Sequence, residues 1–450
     1  MRGSPCVPHH FLSSHHRATS VLAGLVLSLF VWVRPASAQG GQLVPVGGGP
    51  LALADIERLA IDSNPGLRAY RLEVAAARAD VRTAGLRPNP FVIFQGDFLT
   101  VPPRLVDFPT GTYGIQAQVP LEWGNKRTRR LETAQATVSL VQLQVADSAR
   151  RVLAAARLAR VQLLAAVARL RIADTIVANY RQLVVLNENR FKEQQIAGTE
   201  LIRAQVARSQ SEIQRDEAAL ATRQAQDALA ALIGRRDRPA LVDTLVALER
   251  PLPASDSLVT LALQHRPDLL AALALRRVAT ANARLQDANA AITPSLGVDI
   301  YNNQGAAQFG LSGTVPIPAF NRNQGEREKA KVRGTQSERL IEGADLAVRT
   351  DVRIALSELQ TRLATLAKFE AGTEQGILAR TKIIRETAEF AYRRGAISLL
   401  ELLDAERTYS EISRSYVDAV AAYNGGLVLL DAATAADAAR LVGLETETAR

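Results

Sequence analysis

Between Leu131 and Val184 apolar residues return at alternating steps of three and four: Leu131, Ala134, Val138, Val141, Val145, Ala149, Val152, and so on to Val177, Tyr180 and Val184. That spacing draws one stripe down an α-helix. An extra step of four near Val145 is a stutter that locally relaxes a coiled-coil seam. No proline or glycine interrupts 125–196, so the pattern predicts one helix roughly 100 Å long at about 1.5 Å per residue. The chain is expected to reverse near Gly198 and to return as a helix to about Ile233, ending at Gly234.

Residues 112–121 obey a different period. Tyr113, Ile115, Ala117, Val119 and Leu121 fall on one side, and Thr112, Gly114, Gln116, Gln118 and Pro120 on the other. This is a strand with one apolar and one polar face. Residues 91–98 read as a second short strand, and 99–111, with three prolines, as a loop. Ahead of them 51–86 reads as an alanine-rich helix, stopped by Arg87-Pro88-Asn89-Pro90.

The order then repeats. Residues 235–256 read as a linker. His265-Arg266-Pro267-Asp268-Leu269 resembles Ser63-Asn64-Pro65-Gly66-Leu67. Strands are predicted near 295–301 and 308–317; Val315-Pro316-Ile317 matches Val119-Pro120-Leu121, and Asn321 matches Asn125. A long helix is predicted over 325–394. Gly395 can take the left-handed conformation that ends it, and Ser398 with Glu401 forms a capping box that starts the next, over 399–430. Glu200 to Gln205 lines up with Glu401 to Glu406, so the reversal itself occurs twice. The predicted fold is mainly α with a small β part: a duplicated helix, strand, strand, long helix, helix repeat over 51–234 and 257–431, with a weakly patterned tail at 432–450.

This pattern constrains the assembly. Strands of about eight to ten residues have the length needed to cross a bilayer, but the smallest membrane barrels have about eight strands. An open four-stranded sheet would leave unpaired backbone in lipid, so strands that span a membrane here must share one barrel with other chains. Helices this long must lie side by side in a bundle or tube.

Composition narrows the classes. Aromatics are 5% and the net charge is +9, falling to +6 without the three arginines of 1–38. Basic residues are interspersed with acids rather than gathered in a patch with aromatics, which argues against nucleic acid. Residues 1–38 carry an apolar run at 21–33 and Ala36-Ser37-Ala38, the pattern of a cleaved signal peptide. Residues 39–50 are a glycine-rich lead-in. The one cysteine, Cys6, lies in the leader, as do four of the five histidines, leaving His265 alone. No catalytic constellation, metal site or cofactor site is expected, and the protein is not read as an enzyme.

With these residues assembled, the sequence resembles the TolC-like outer-membrane channel family of Gram-negative bacteria over roughly 51–430. The resemblance is carried by Asn64-Pro65-Gly66-Leu67-Arg68, Leu86-Arg87-Pro88-Asn89-Pro90, and Tyr392-Arg393-Arg394-Gly395 through Leu402-Leu403-Asp404-Ala405. Gly124-Asn125-Lys126-Arg127 and Phe320-Asn321-Arg322-Asn323-Gln324-Gly325 look more like the heavy-metal, CzcC-like branch. The resemblance implies a homotrimer with a twelve-stranded outer-membrane β-barrel and a long periplasmic α-barrel. It implies a belt from the inter-repeat region and the tail. It also implies passive export of metal cations or small toxic molecules, with the trimer docked on a periplasmic adaptor and an inner-membrane pump. Many relatives carry an acylated cysteine; none follows the cleavage site here, so a lipid anchor is not expected. Two other readings stand beside this one: the outer channel of a protein-secretion system, and a periplasmic coiled-coil protein without a pore.

The resemblance puts Tyr392, Gly395, Glu401 and Asp404 at the periplasmic tip, with Gly198 and Glu200 in the matching first turn. Glu401 and Asp404 share a helical face, and three chains would make rings of acid that attract cations. The plainer alternative is a capping role for Glu401 and a solvated charge at Asp404. Ile397 stands where the family often has a polar or basic residue, which removes one partner of an ionic lock; the Tyr392 hydroxyl could still contribute. Trp123, Lys126, Arg127, Arg129 and Arg322 lie at the strand-to-helix junctions and are expected at the lipid headgroups, where basic and aromatic side chains settle; a solvated helix start, or a core role for Trp123, is the alternative.

Overall fold

A computed structural model describes residues 49–96, 113–251, 254–303, 306–370 and 376–436. The leader, the loop expected at 99–111 and most of the tail lie outside the described residues. The first repeat runs α1 (Leu53–Ser63), α2 (Pro65–Ala84), β1 (Phe91–Gly96), β2 (Tyr113–Pro120), α3 (Lys126–Lys192) and α4 (Gly198–Leu232). The second runs α5 (Ser255–His265), α6 (Pro267–Asn289), β3 (Ser295–Asn303), β4 (Ala306–Thr314), α7 (Gln324–Glu370), α8 (Ile377–Arg393) and α9 (Leu399–Thr434).

The helix expected over 51–86 is two helices. Proline at 65 excludes its predecessor from the helical region, and Asn64 is extended, at φ −61°, ψ 120°. Its Oδ1 accepts from the Leu67 N–H at 2.9 Å and caps α2, while its Nδ2 donates to the Leu232 carbonyl at the end of α4, 2.8 Å away. Arg266 makes the equivalent tie in the second repeat, without the side-chain cap. It is buried, its guanidinium pairs with Asp268 and Asp351, and Nη1 donates to the Ala433 carbonyl near the end of α9. Each repeat thus closes on itself through the residue before its proline. Gly234 and Ala435 end α4 and α9 in the left-handed conformation. Gly234 is also required by space, since an added Cβ would lie 2.2 Å from the Ser63 carbonyl oxygen.

α3 spans 67 residues without a break, four short of the expected end at 196. Val145, Ala149, Ala156, Ala159, Leu163, Ala166, Ala173, Val177 and Val184 of the predicted stripe are buried; at Val152 the core position passes to Leu153. A second buried row (Leu153, Leu164, Ile176, Leu183) reflects a helix packed on several sides, against α2, α4, α6 and α9. The helix expected over 325–394 is not continuous. α7 ends at Glu370 and α8 begins at Ile377, with Gly376 extended ahead of it as N-cap. A Cβ at Gly376 would sit 2.3 Å from the Phe369 carbonyl oxygen, so the start of α8 lies directly against the end of α7. The last helix runs to Thr434, so 432–434 belong to it rather than to the tail.

The four strands form one antiparallel sheet in the order β1-β2-β3-β4. β1 stops at Gly96, and residues 97–98 and 112 of the predicted strands lie outside the described residues. β2 stops at Pro120, one residue early. β3 runs two residues longer than predicted, and β4 ends at Thr314, so Val315 and Ile317 fall beyond the strand. The register stacks Phe94, Ile115, Ile300 and Phe309 in one row across all four strands, with Val92, Ala117, Val298 and Leu311 in the next of the same face. These side chains, Ala117 included, are exposed, while Gln116, Gln118 and Asp299 on the opposite face are buried. The sheet is turned inside out relative to one folding in water.

Two edges stay open. β1 and β4 have no outer partner among the described strands. Below them α4 exposes Val206, Ile213 and Leu220 at heptad spacing, and α8 exposes Ile377 and Ile384, and Ile383 and Phe390, at the same spacing.

Candidate functional site

The end of the bundle far from the strands is built by two turns, α3 to α4 and α8 to α9. In the second, Gly395 at φ +73° follows the helix; its N–H donates to the Tyr392 carbonyl at 2.9 Å and that of Ala396 to Ala391 at 2.9 Å. This pairing of the last carbonyls is the Schellman motif. The first turn repeats it with Gln194 at φ +59°: its N–H donates to Phe191 at 3.0 Å and that of Gln195 to Arg190 at 2.8 Å. The reversing residue of the first turn is therefore Gln194 and not Gly198, which instead opens α4 against the Phe191 ring. The same comparison shifts another match: Asn125 (φ +58°) before α3 has its conformational counterpart in Asn323 (φ +59°) before α7, not in Asn321.

Tyr392 is buried where α8 crosses α3. Its hydroxyl donates to Asn187 Oδ1 at 2.6 Å. Arg190, one turn further along α3, lies over the Tyr392 ring with its guanidinium carbon 4.9 Å from the centroid, and donates to the carbonyls of Tyr392 and Arg393. A cation there complements the carbonyl end of α8. Leu183, Val184, Ala204, Leu399 and Leu402 pack round this contact. The tip is thus held inside one chain by a neutral hydrogen bond and a helix-end cation.

Ser398 and Glu401 form the expected capping box: Ser398 Oγ accepts from the Glu401 N–H at 3.3 Å and Glu401 Oε2 accepts from the Ser398 N–H at 2.8 Å. Glu200 stands at the equivalent place in α4, where Ala197 supplies no side-chain cap. Asp404 is exposed and makes no hydrogen bond or ion pair with the described residues; its charge reaches Arg407. So Glu401 is committed to its cap and Asp404 is free.

Beside the lock, α3, α8 and α9 enclose a groove of about 420 Å³. Glu406 is buried in its wall, 3.3 Å from Arg385, which also holds Glu389 at 3.3 Å and stacks on Tyr409. One Glu406 oxygen, Oε2, accepts no hydrogen bond from the described residues. Burial pushes the Glu406 carboxyl above the ordinary carboxylate range, against the opposing pull of Arg385. The neighbouring Tyr180 hydroxyl is pushed up to about 12 by burial and by the Glu406 charge.

At the strand end, Trp123 is exposed. The basic residues there have partners within the chain. Arg127 and Arg130 donate to the Gly85 and Leu86 carbonyls at the end of α2, and Lys126 donates to Thr293 Oγ1 at 2.6 Å. Arg129 pairs with Glu132, and Arg322 donates to the Pro318 carbonyl. Cations are unfavourable at the start of α3, but here two of them serve the carbonyl end of α2.

Asn187, Arg190, Arg385, Glu406 and Asp299 were not singled out from sequence. Two left a signal. Asn187 continues the α3 stripe three residues past Val184, a polar residue in a core position, and Asp299 is the one charged side chain in the described strands. Among the described residues no helix is long and apolar enough to cross a membrane, and no group of three or more His, Cys, Asp or Glu side chains is placed to hold a metal ion.

Residues 57–235 and 258–436 each match the family described as outer membrane efflux protein. The chain is 25% identical over 390 residues to the cobalt-zinc-cadmium resistance protein CzcC of Cupriavidus metallidurans, covering 84% of this chain and 89% of that protein. It is 27% identical to the cation efflux system protein CusC of Escherichia coli over 56% of this chain and 57% of that one. In solved structures the fold matches CusC at a TM-score of 0.70, with 21% identity over 85% of this chain and 91% of that chain. It matches the Campylobacter jejuni CmeC outer membrane channel at 0.71, with 15% identity over 87% and 89%.

Proposed function

We propose, because the chain belongs to the outer membrane efflux protein family, that it is the channel subunit of a tripartite efflux pump. Three copies close a twelve-stranded barrel in outer-membrane lipid and continue it as a periplasmic α-barrel. The pore is passive: a periplasmic adaptor and an inner-membrane pump dock on it, and the pump supplies the energy. Metal cations are the favoured cargo, on the strength of the relatives' names.

The observation that carries this reading is the inverted sheet with two open edges. Apolar rows face outward as lipid requires, and the unpaired edges of β1 and β4 can be satisfied only by further strands. A water-soluble coiled-coil protein would bury the Phe94 and Phe309 row. Exposed heptad stripes on α4 and α8 offer the matching contacts between helices of adjacent chains. At the tip, Tyr392 with Asn187 holds the closed arrangement, and Asp404 rings the narrow end with acid.

The deciding experiment records purified protein in planar bilayers and, in parallel, tests a gene deletion against cobalt, zinc, cadmium and organic toxicants. Step conductances and metal sensitivity are expected. A non-conducting, water-soluble monomer would sink the channel reading, and sensitivity to organic toxicants alone would sink the metal preference. Asp404→Ala is expected to raise open probability or weaken block by divalent cations; unchanged block removes Asp404 from the gate.

A further inference from the structure

The four described strands carry one charged side chain, Asp299 on β3. It lies on the polar face, opposite Gln116 on β2 and Gly310 on β4. Its residue is 4% exposed. Ser312 Oγ donates to Oδ1 at 3.1 Å, and Gln116 Nε2 donates to Ser312 Oγ at 2.6 Å, so β2 and β4 both steady the carboxylate. Oδ2 accepts no hydrogen bond from the described residues. Gly310 lies opposite on β4, where an added Cβ would come into contact with that oxygen at 3.6 Å, so glycine keeps this side clear of a side chain.

A charge in a membrane-spanning segment is costly to keep, and those that persist face an interior path. The rest of this face is small or polar on β2, β3 and β4 apart from Tyr301 and Pro120, and carries Phe91 and Ile93 on β1, so no cation on it neutralises the carboxylate. No arginine or lysine stands in the strands to make it half of an ion pair. The hydrogen bonds fix its place and leave its charge to act on what passes.

We propose that Asp299 is a cation-selecting residue of the barrel lumen, set apart from the acids of the tip. The inference rests on the channel reading above. One carboxylate per chain makes a ring at a single height, which raises the local concentration of cations and repels anions. The effect belongs to the charge and not to the shape of the side chain.

The test is the reversal potential of the full-length protein in planar bilayers under a potassium chloride gradient, for wild type, Asp299→Asn and Asp299→Glu. Asn keeps an oxygen for Ser312 and removes the charge. The expected result is cation preference in the wild type, a fall of about twofold or more in the cation-to-anion permeability ratio with Asn, and recovery with Glu. The difference between wild type and Asn should shrink from 0.1 M to 1 M salt, as the Debye length falls from about 10 Å to about 3 Å. A structural role for Asp299 would not produce that salt dependence. Conducting Asn pores with an unchanged ratio overturn the proposal and leave the channel reading standing. A wild type that never conducts overturns both. If Asn fails to assemble, the wild-type ratio is compared with that of Asp404→Ala: selectivity lost entirely at the tip overturns the lumen role, and selectivity that survives supports it.

Discussion

If the tip opens as proposed, Glu406 is the side chain expected to give that opening a pH response. Its surroundings are Arg385 and Glu389 from α8, Asn179 and Tyr180 from α3, and Tyr409 from its own helix. In the packed tip its carboxyl is held above the ordinary carboxylate range by burial, whereas in an opened tip water would return it to that range. The packed form therefore binds the proton more tightly than the open form. Its stability is fullest below the ordinary carboxylate pKa and declines as pH rises through the raised value. Spin labels on α3 and α8 should report a tip that loosens from acid toward neutral pH in the wild type. In Glu406→Gln, which is uncharged throughout, the distance should not move with pH; a wild-type profile in that variant would clear Glu406 of the role. Arg385→Met would leave the buried carboxylate without its cation, and an unfolding experiment in detergent should show a loss of about 3 kcal/mol.

At the level of elements, the two tip turns have the same backbone and different residues. Gly395 takes the left-handed conformation without steric cost, and Gln194 takes it with a side chain. An Ala at 395 would meet no atom within 4 Å, so its cost is the backbone alone, about 1 kcal/mol. Gln194→Gly should do the reverse and stabilise by roughly 0.5–1 kcal/mol, after the greater freedom of glycine in the unfolded chain is discounted. Thermal unfolding of the two variants should move in opposite directions. This pair also marks what the sequence could reveal. Glycine advertised the second reversal, while in the first it pointed to Gly198, four residues past the true hinge, because glutamine carries no turn signal. β2, β3 and β4 were legible because their period of two has no competitor, and β1 as a short apolar run after the Pro88 and Pro90 stop. The break between α7 and α8 escaped notice because long apolar periodicity on both sides outweighed Gly376. The Tyr392 to Asn187 bond joins residues 205 positions apart, and spacing along the chain cannot show such a pairing.

At the scale of the whole described fold, the four-stranded sheet and the helices that follow it are both unfinished at their sides, the sheet at two open edges and the helices at exposed apolar stripes. If copies complete one another, β1 of one chain must lie against β4 of the next. Cysteines placed singly along β1 and β4 and combined in pairs should form interchain disulfides, giving a non-reducing ladder that stops at three chains. A scan that yields no interchain product would remove the shared barrel. The unfinished edges also have a kinetic meaning. If three copies share one barrel as proposed, no chain can seal its own backbone from lipid, insertion must wait for encounter, and at low expression the number of pores should scale with about the cube of the free chain rather than in proportion to it. Halving synthesis would then cost a cell far more than half of its export capacity.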